Sequence, residues 1–172
     1  MTFPSHPPAG LRPFLSTDAP LLAEIFRASI AELAAEDYTA AQQEAWAAAA
    51  DDENAFAARL GRELTLVATI DGAPVGFAAL KGAEEIDLLY VHPAVAGRGV
   101  GAMLCEALEK LAAGRGAAKL MADASDNALG FFTHRGFVAE HRNTVPRNGE
   151  WIANTTVRKP LSAAAPAAKE GT

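Results

Sequence analysis

The chain has 172 residues, 50% of them hydrophobic, and this predicts one domain with a single sizeable core. Its net charge of -6 argues against general nucleic-acid binding, which requires a basic face, and suits a cationic small-molecule partner better. Prolines near the start and the lack of a long apolar run argue against a signal peptide and a membrane span, so we expect a cytoplasmic protein with no membrane partner.

The two ends of the chain differ in composition from its middle. The first ten residues are interrupted by prolines, and the last twelve are rich in alanine and proline without an apolar period. We therefore predict a flexible arm at residues 1–10, one domain at 11–160 and a disordered tail at 161–172. The lone Cys105 falls within an apolar helical pattern, so we interpret it as a packing residue.

The first half of the domain is predicted to be mainly helical. After a short strand, Thr17 or Asp18 can cap a helix whose apolar residues recur on one face. Thr39 and Gln42 have the spacing of a capping box, which predicts the start of a second helix carrying Trp46.

Three consecutive strands follow. Residues 64–70 and 74–80 flank Asp71-Gly72, a dipeptide typical of tight hairpin turns, and residues 85–91 have strand character. This order predicts an antiparallel meander.

A glycine-rich turn then leads into a helix with an apolar face. Gly97, Gly99 and Gly101 have no side chains to hold off an oxyanion, and the N–H groups at a helix start attract negative charge. The segment predicts a cradle for a pyrophosphate-bearing cofactor, with a plain strand-to-helix turn as the structural alternative.

Two nucleotide-binding fingerprints can be tested against this turn. Asp123 lies about twenty residues beyond Gly101, where a Rossmann site has its ribose-binding acid. The glycine spacing does not fit, because Leu104 stands where the third small residue belongs and the preceding strands are antiparallel. No Gly-Lys-Ser/Thr follows the turn, so the Walker loop is excluded as well.

The pattern instead resembles the GCN5-related N-acetyltransferase (GNAT) family. The carrying motifs are an apolar strand, His92-Pro93, Gly97-Arg98-Gly99-Val100-Gly101 before a helix, and Phe131-Phe132-Thr133-His134-Arg135-Gly136-Phe137 before a final strand pair. The resemblance covers residues 11–160 and looks closest to an uncharacterised bacterial branch. It implies a mixed α/β fold with a mostly antiparallel central sheet, a parallel splayed pair and flanking helices. It also implies an N-acetyltransferase that uses acetyl-CoA.

The resemblance further implies which residues bind coenzyme A. Main-chain groups of the glycine turn would hold the diphosphate, and those of the preceding strand would pair with the pantetheine arm. Ser125 and Asn127 would contact the pantetheine amides or else cap a helix. Phe131 and Phe132 would line the cofactor site or belong to the core. The set is Leu89, Tyr90, Val91, Ala96, Gly97, Arg98, Gly99, Val100, Gly101, Ala102, Ser125, Asn127, Phe131 and Phe132.

Two positions depart from the family pattern. Ala96 stands where relatives have glutamine or arginine, and Phe132 stands where many have a tyrosine that protonates the departing thiolate. These departures motivate an alternative to the enzyme, namely a non-catalytic acyl-CoA-binding or sensor module of the same fold.

Direct acyl transfer needs a deprotonated amine, and an ordinary ammonium with a pKa near ~10.4 is protonated at neutral pH. Strand alternation would place Glu85, Asp87 and Leu89 on one face, so Glu85 and Asp87 are the candidate catalytic bases, with Asp87 the more enclosed. Solvated carboxylates at a strand start are the alternative.

Tyr38 and Trp46 lie in the helical half that covers the acceptor in relatives. They are candidate substrate contacts, with ordinary packing as the alternative. His134 and His141 lack metal-ligand spacing, so we predict no metal. The expected acceptor is a primary amine of a small molecule or peptide, and a homodimer is compatible with the sequence.

Overall fold

The computed structural model describes residues 7–161 of the chain. Within them one seven-stranded sheet has the order β1-β2-β3-β4-β5-β7-β6, and β4 and β5 are its parallel pair. The strands are β1 (Ala9–Pro13), β2 (Leu64–Ile70), β3 (Ala73–Lys81), β4 (Glu85–Val91), β5 (Lys119–Ser125), β6 (Val138–Arg147) and β7 (Glu150–Pro160). The helices are α1 (Ala19–Leu33), α2 (Ala40–Ala47), α3 (Glu53–Arg62), α4 (Val100–Gly114) and α5 (Leu129–His134). The predicted fold class is confirmed.

An apolar cluster covers each face of the sheet. On one face Phe26 of α1 and Phe56 of α3 pack with Phe77 and Leu88. On the other face α4 packs on the sheet through residues such as Leu104. The amphipathic helices read from the sequence thus bury their apolar faces against opposite sides of one sheet.

Cys105 belongs to the α4 cluster and is fully buried. Burial, followed by the nearby charge of Glu109, raises the pKa of the Cys105 thiol to about 12. A thiol held in its protonated form is a poor nucleophile, so the packing role predicted for Cys105 is confirmed.

The boundaries of the domain differ slightly from the prediction. Ala9 and Gly10, assigned to the arm, pair with Ile70 and Thr69 in the sheet. At the other end, the Leu161 amide donates to the Ala118 carbonyl at 2.8 Å. The rest of the predicted tail, and residues 1–6 of the predicted arm, lie outside the described residues.

The two predicted helix caps have different outcomes. Thr39 accepts a hydrogen bond from the Gln42 amide, and Gln42 bonds back, so the capping box of α2 is confirmed. Of the two candidates for α1, Asp18 occupies the N-cap position, but its side chain makes no cap hydrogen bond. Its carboxylate forms a two-pronged ion pair with Arg12 at 2.7 Å instead, which lowers the pKa of Asp18.

Strand β4 contains one unpaired residue that breaks its regular alternation. Leu80 of β3 pairs with Ile86 and the preceding Ala79 pairs with Leu88, so Asp87 has no partner on β3. Such a bulge sends two successive side chains to one face. Asp87 contacts Arg59 of α3, whereas Leu89 packs in the α4 cluster. The prediction that Leu89 shares a face with Glu85 and Asp87 is therefore wrong.

The parallel pair β4–β5 separates directly after the bulge begins. Only Glu85 and Ile86 pair across it, with Met121 and Ala122. Beyond Ile86 the two strands diverge, which opens a gap in the middle of the sheet between two edges that still carry main-chain polar groups.

Candidate active site

The glycine turn between β4 and α4 is shaped by two residues with positive φ. Gly97 has φ of 80° and Gly99, the residue that precedes α4, has φ of 84°, a region that side-chain-bearing residues rarely adopt. Chain neighbours apart, no atom of residues 7–161 lies within 4 Å of a Cβ built on either residue. The turn therefore requires glycine for its backbone conformation and leaves open space above it.

Several main-chain N–H groups of this turn are free. Among residues 7–161, the amides of five residues in the turn donate to no protein acceptor: Gly97, Gly99, Val100, Gly101 and Ala102. The amides of Ala96 and Arg98 donate to the carbonyls of Pro93 and Val95, so the predicted cradle is smaller by those two N–H groups. What remains is a cluster of donors at a helix N-terminus, which suits a phosphate group.

The gap beside β4 offers main-chain groups of alternate residues. The His92 amide donates to the Val75 carbonyl, so the main chain of Tyr90, two residues earlier, also faces β3. The main-chain groups of Leu89 and Val91 face the gap instead. Of the three residues predicted to pair with a pantetheine arm, Leu89 and Val91 can do so through the main chain, and Tyr90 cannot.

A cavity of about 90 Å³ lies in this gap, and we call it the narrow cavity. Ser125, Asn127 and Phe132 contribute to its lining. Helix α5 begins at Leu129 and has no side-chain cap, so the alternative role of Ser125 and Asn127 as helix caps is wrong.

The two aromatic residues of α5 differ in position. Phe132 is 4% exposed and packs edge-on against Phe137 within the α4 cluster. Phe131 is half-buried and approaches the start of α4, where a Cβ on Gly101 would lie 3.5 Å from its ring. Phe131 therefore borders the glycine turn, and Phe132 is a core residue that also borders the narrow cavity.

A larger cavity of about 400 Å³ adjoins the narrow one on the α1–α3 side of the sheet. We call it the charged cavity, because three carboxylates and three cations line it: Glu85, Asp87, Asp123, Arg59, Lys81 and Arg147. Trp46, Asp87 and Tyr90 border both cavities, so these side chains lie where the two meet.

Asp87 has the most specific surroundings of the predicted carboxylates. Its Oδ2 accepts a hydrogen bond from Nε of Arg59 at 2.9 Å and forms a salt bridge with Nη2 of Arg59 at 2.8 Å, and its side chain is 14% exposed. Asp87 is also a neighbour of Glu63, just after α3, whose pKa is raised by burial and then by Asp87. Glu85 lines the same cavity but is exposed to solvent. The bulge thus brings Asp87, more than Glu85, into an enclosed polar site.

The two predicted substrate contacts, Tyr38 and Trp46, have different surroundings. The Tyr38 hydroxyl donates to the Ala153 carbonyl at 2.6 Å and accepts from the Asp126 amide at 2.8 Å, and the residue is 6% exposed. These bonds hold the start of the β5–α5 connection against β7 and give the Tyr38 hydroxyl a structural role, while its contact with a substrate stays a prediction. Trp46 lines both cavities and stays a candidate substrate contact.

Tyr90 contributes its side chain to this junction. Its hydroxyl accepts a hydrogen bond from Nε1 of Trp46 at 3.2 Å. Burial raises the pKa of Tyr90 to about 12, so the hydroxyl keeps its proton at neutral pH. A protonated hydroxyl beside the carboxylates can donate to a polar group in either cavity.

Sequence reasoning missed Arg59, Glu63 and Arg147. The meander contained a usable signal for Glu63, because Leu64 pairs with Leu80, which in turn pairs with Ile86. Counting back along those pairs places Glu63 beside the start of β4. Arg59 and Arg147 reach the cavity from a helix and a distant hairpin, and no local pattern marks either one.

A family model described as an acetyltransferase (GNAT) domain matches residues 34–158. The chain belongs to the GNAT acetyltransferase family. This GNAT domain is 31% identical over 148 residues to the uncharacterized N-acetyltransferase YafP of Escherichia coli K12, covering 86% of the chain and 93% of that protein. The family, and with it the assignment as an acetyl-CoA-dependent acetyltransferase, agrees with the sequence prediction.

Solved structures of GNAT proteins share the fold. A GCN5-related N-acetyltransferase of Rhodopseudomonas palustris is 60% identical with a TM-score of 0.88, over 94% of this chain and 99% of that one. The PaiA N-acetyltransferase of Thermoplasma acidophilum, solved with coenzyme A, is 21% identical with a TM-score of 0.73, over 89% and 99% of the two chains.

Residues 7–161 of this GNAT domain lack two further features. None of its helices combines the length and apolarity that crossing a bilayer requires. The same residues contain no group of three or more histidine, cysteine or acidic side chains arranged to hold a metal ion.

Proposed function

We propose that this GNAT domain transfers the acetyl group of acetyl-CoA directly to a primary amine of a small molecule or peptide. The observation that carries the proposal is the junction of the two cavities at Asp87. One cavity lies in the gap between β4 and β5, the other adjoins it on the α1–α3 side of the sheet, and the carboxylate of Asp87 borders both.

The glycine turn fits the diphosphate of coenzyme A. Its five free amides supply hydrogen-bond donors without any side chain, and the space above Gly97 and Gly99 is open. Arg98 is exposed on the same turn and adds a positive charge. PaiA, which has the same fold, was solved in complex with coenzyme A, and this supports coenzyme A as the ligand of this domain.

The gap between β4 and β5 fits an extended arm. Leu89 and Val91 present alternate main-chain groups, as an edge strand does to an added strand. Ser125 and Asn127 offer polar side chains from the opposite side. An arm bound in this way would bring a thioester towards Asp87 and the charged cavity.

The charged cavity fits a small amine. Its volume of about 400 Å³ lies within the range of about 300–1,000 Å³ that is usual for small-ligand sites. The carboxylates attract an ammonium group, and the rings of Trp46 and Tyr90 form an apolar wall beside it. A peptide amine would enter by its terminus or by one side chain.

The chemistry needed from the protein is mainly positioning and proton transfer. Acetyl-CoA supplies an acyl group already activated as a thioester. Asp87 accepts a proton from the bound ammonium, and main-chain N–H groups near Leu89 and Val91 stabilise negative charge on the acyl oxygen. Phe132 offers no proton to the leaving sulfur, but a thiol pKa of about 8–9 makes the thiolate a tolerable leaving group.

A thiol-release assay tests the proposal. The full chain is incubated with acetyl-CoA and, in turn, polyamines, aminoglycosides, amino acids and peptides with free amines. We expect free coenzyme A above the no-acceptor background with at least one class, together with the N-acetylated product by mass spectrometry. If acetyl-CoA raises the melting temperature but no acceptor releases thiol, the non-catalytic binding module is favoured instead.

A further inference from the structure

The carboxyl group of Glu63, a neighbour of Asp87, has an unusual environment. Glu63 lies between the end of α3 and the start of β2, and its Oε2 is fully buried without a hydrogen-bond partner among residues 7–161. Asp87 is a close neighbour that acts on Glu63 as a hydrogen-bonding group and as a charge. Two carboxyl groups can share a hydrogen bond only if one of them carries a proton.

The charges around the pair decide how it is protonated. Both Arg59 contacts go to Oδ2 of Asp87. The other charged groups nearby are Lys81 of β3, which acts on Glu63 without a salt bridge, and the exposed Glu85 at the start of β4. Arg59 is therefore the one closely paired cation beside the carboxyl groups of Asp87 and Glu63. Because Arg59 stabilises the charged form of Asp87, the proton of the pair is on Glu63.

The surroundings of Glu63 make that proton hard to remove. Burial, and after it the hydrogen bond and charge of Asp87, raise the pKa of Glu63 to about 8. An isolated glutamate has a pKa near 4.3. A like-charged partner in a partly buried site is a known cause of such a rise.

We propose that Glu63 and Asp87 work as one proton acceptor for the amine substrate, with Asp87 facing the charged cavity and Glu63 behind it as the positioning residue that stores the proton. The inference rests on the proposed function. Asp87 touches both cavities, whereas Glu63 acts only through Asp87.

The proton moves from the substrate to the carboxyl pair in two steps. When both carboxyl groups are ionised, an N–H bond of the substrate ammonium breaks and an O–H bond forms on Asp87. The proton then moves across the shared hydrogen bond to Glu63, which restores the Asp87 carboxylate. The neutral amine forms an N–C bond to the acyl carbon as the C–S bond breaks, the remaining extra N–H proton goes to the thiolate, and Glu63 later releases its proton to water.

The pair is a much better base than a single carboxylate. An aspartate with an ordinary pKa near 3.9 is a very weak acceptor for a proton from an ammonium near 10.4. A pair whose last proton leaves near pH 8 is closer to both the substrate and the working pH, where general-base catalysis is most effective.

The ratio of kcat for Glu63→Gln to kcat for the wild type, measured from pH 6 to 9 with one acceptor, tests this directly. Titration of the acceptor cancels in the ratio. We expect the ratio to fall as pH rises through about 8, reaching a loss of about 10- to 100-fold on the alkaline side. The acceptor KM should change little. Glu63→Asp, which keeps a carboxyl group, should recover part of the lost rate.

Infrared spectroscopy gives a second readout that does not require turnover. The wild type at pH 7 should show a protonated-carboxyl band that Glu63→Gln lacks and that the surface variant Glu106→Gln retains. A flat kcat ratio, or an infrared band unchanged by Glu63→Gln, would overturn the inference. If the wild type releases no thiol with any acceptor, the proposed function fails while the infrared result still reports on the carboxyl pair.

Discussion

The glycine turn and the charged cavity are built from different parts of the chain. The turn presents the free main-chain N–H groups of Gly97 and of residues 99–102, which are close neighbours in sequence. The cavity is built from side chains of three helices (α1, α2 and α3), three strands (β3, β4 and β5) and the β6–β7 hairpin. The first site depends on backbone conformation, and the second depends on the packing of distant elements.

This difference predicts different sensitivities. A main-chain site tolerates changes of side chain, which explains how the turn keeps its donors with Ala96 in place of the glutamine or arginine of relatives. A side-chain site depends on each group and its neighbours, since Arg59 is ion-paired with Asp87, and burial and then Asp87 raise the pKa of Glu63.

The largest expected effect comes from blocking the turn. Gly99→Glu places a side chain on a residue with positive φ and puts an anion among the free amides. We expect coenzyme A affinity to fall by more than about 100-fold, because a backbone adjustment and charge repulsion add together. Isothermal titration calorimetry measures this.

The matched control separates strain from repulsion. Gly116 also has positive φ, at 87°, with open space around it, and lies beyond the far end of α4. Gly116→Glu carries the same charge and similar strain but should leave coenzyme A affinity unchanged. Undiminished binding by Gly99→Glu, or an equal loss in both variants, would remove the turn as the diphosphate site.

The next effect is on the rate. Asp87→Asn removes the ionisable group at the junction of the cavities while keeping its size, and we expect kcat to fall by about 100-fold with coenzyme A affinity retained. Glu85→Gln, on an exposed side chain of the same strand, should cost much less. Steady-state kinetics of both variants would reverse the ranking of the two carboxylates if Glu85→Gln were the slower.

The third effect is on stability. Tyr38→Phe deletes a hydroxyl that bonds two backbone groups, Ala153 and Asp126, so it should lower the free energy of unfolding by about 1–3 kcal/mol. Urea unfolding measures this loss, and the acceptor KM should stay within about twofold. A raised KM without a loss of stability would favour contact of Tyr38 with the substrate over a structural role.

The fourth effect is a dependence of stability on pH. From pH 4.5 to about 8, folded Glu63 keeps a proton that the unfolded chain has released. Because the unfolded state binds fewer protons, the contribution of Glu63 to the unfolding free energy falls as pH rises across this window and is flat outside it. Subtracting the unfolding free energy of Glu63→Gln from that of the wild type at each pH isolates this slope. A difference that does not change with pH would mean that the pKa of Glu63 is the same in the folded and unfolded chains.

The same contrast explains what the sequence could predict. The meander, the boundaries of β4 and α4 and the glycine turn follow from local signals, namely a hairpin dipeptide, apolar periodicity and glycine spacing. The bulge at Asp87 left no mark in the sequence pattern, so simple alternation misplaced Leu89. Arg59 and Arg147 enter the cavity only through tertiary packing, and the buried bonds of Tyr38 join residues about a hundred positions apart.

The smallest effect should come from restoring the side chain that relatives have in the turn. Ala96 is exposed and precedes the first free amide at Gly97, so Ala96→Arg adds a guanidinium beside the diphosphate site. A surface ion pair contributes about 0.2–1 kcal/mol, so coenzyme A should bind about 1.5- to 5-fold more tightly at low salt, with the gain reduced at high salt. Ala118→Arg makes the same charge change beyond the opposite end of α4 and should not alter affinity. An equal gain from both variants would mean that the overall charge of the protein, and not a local contact in the turn, limits binding.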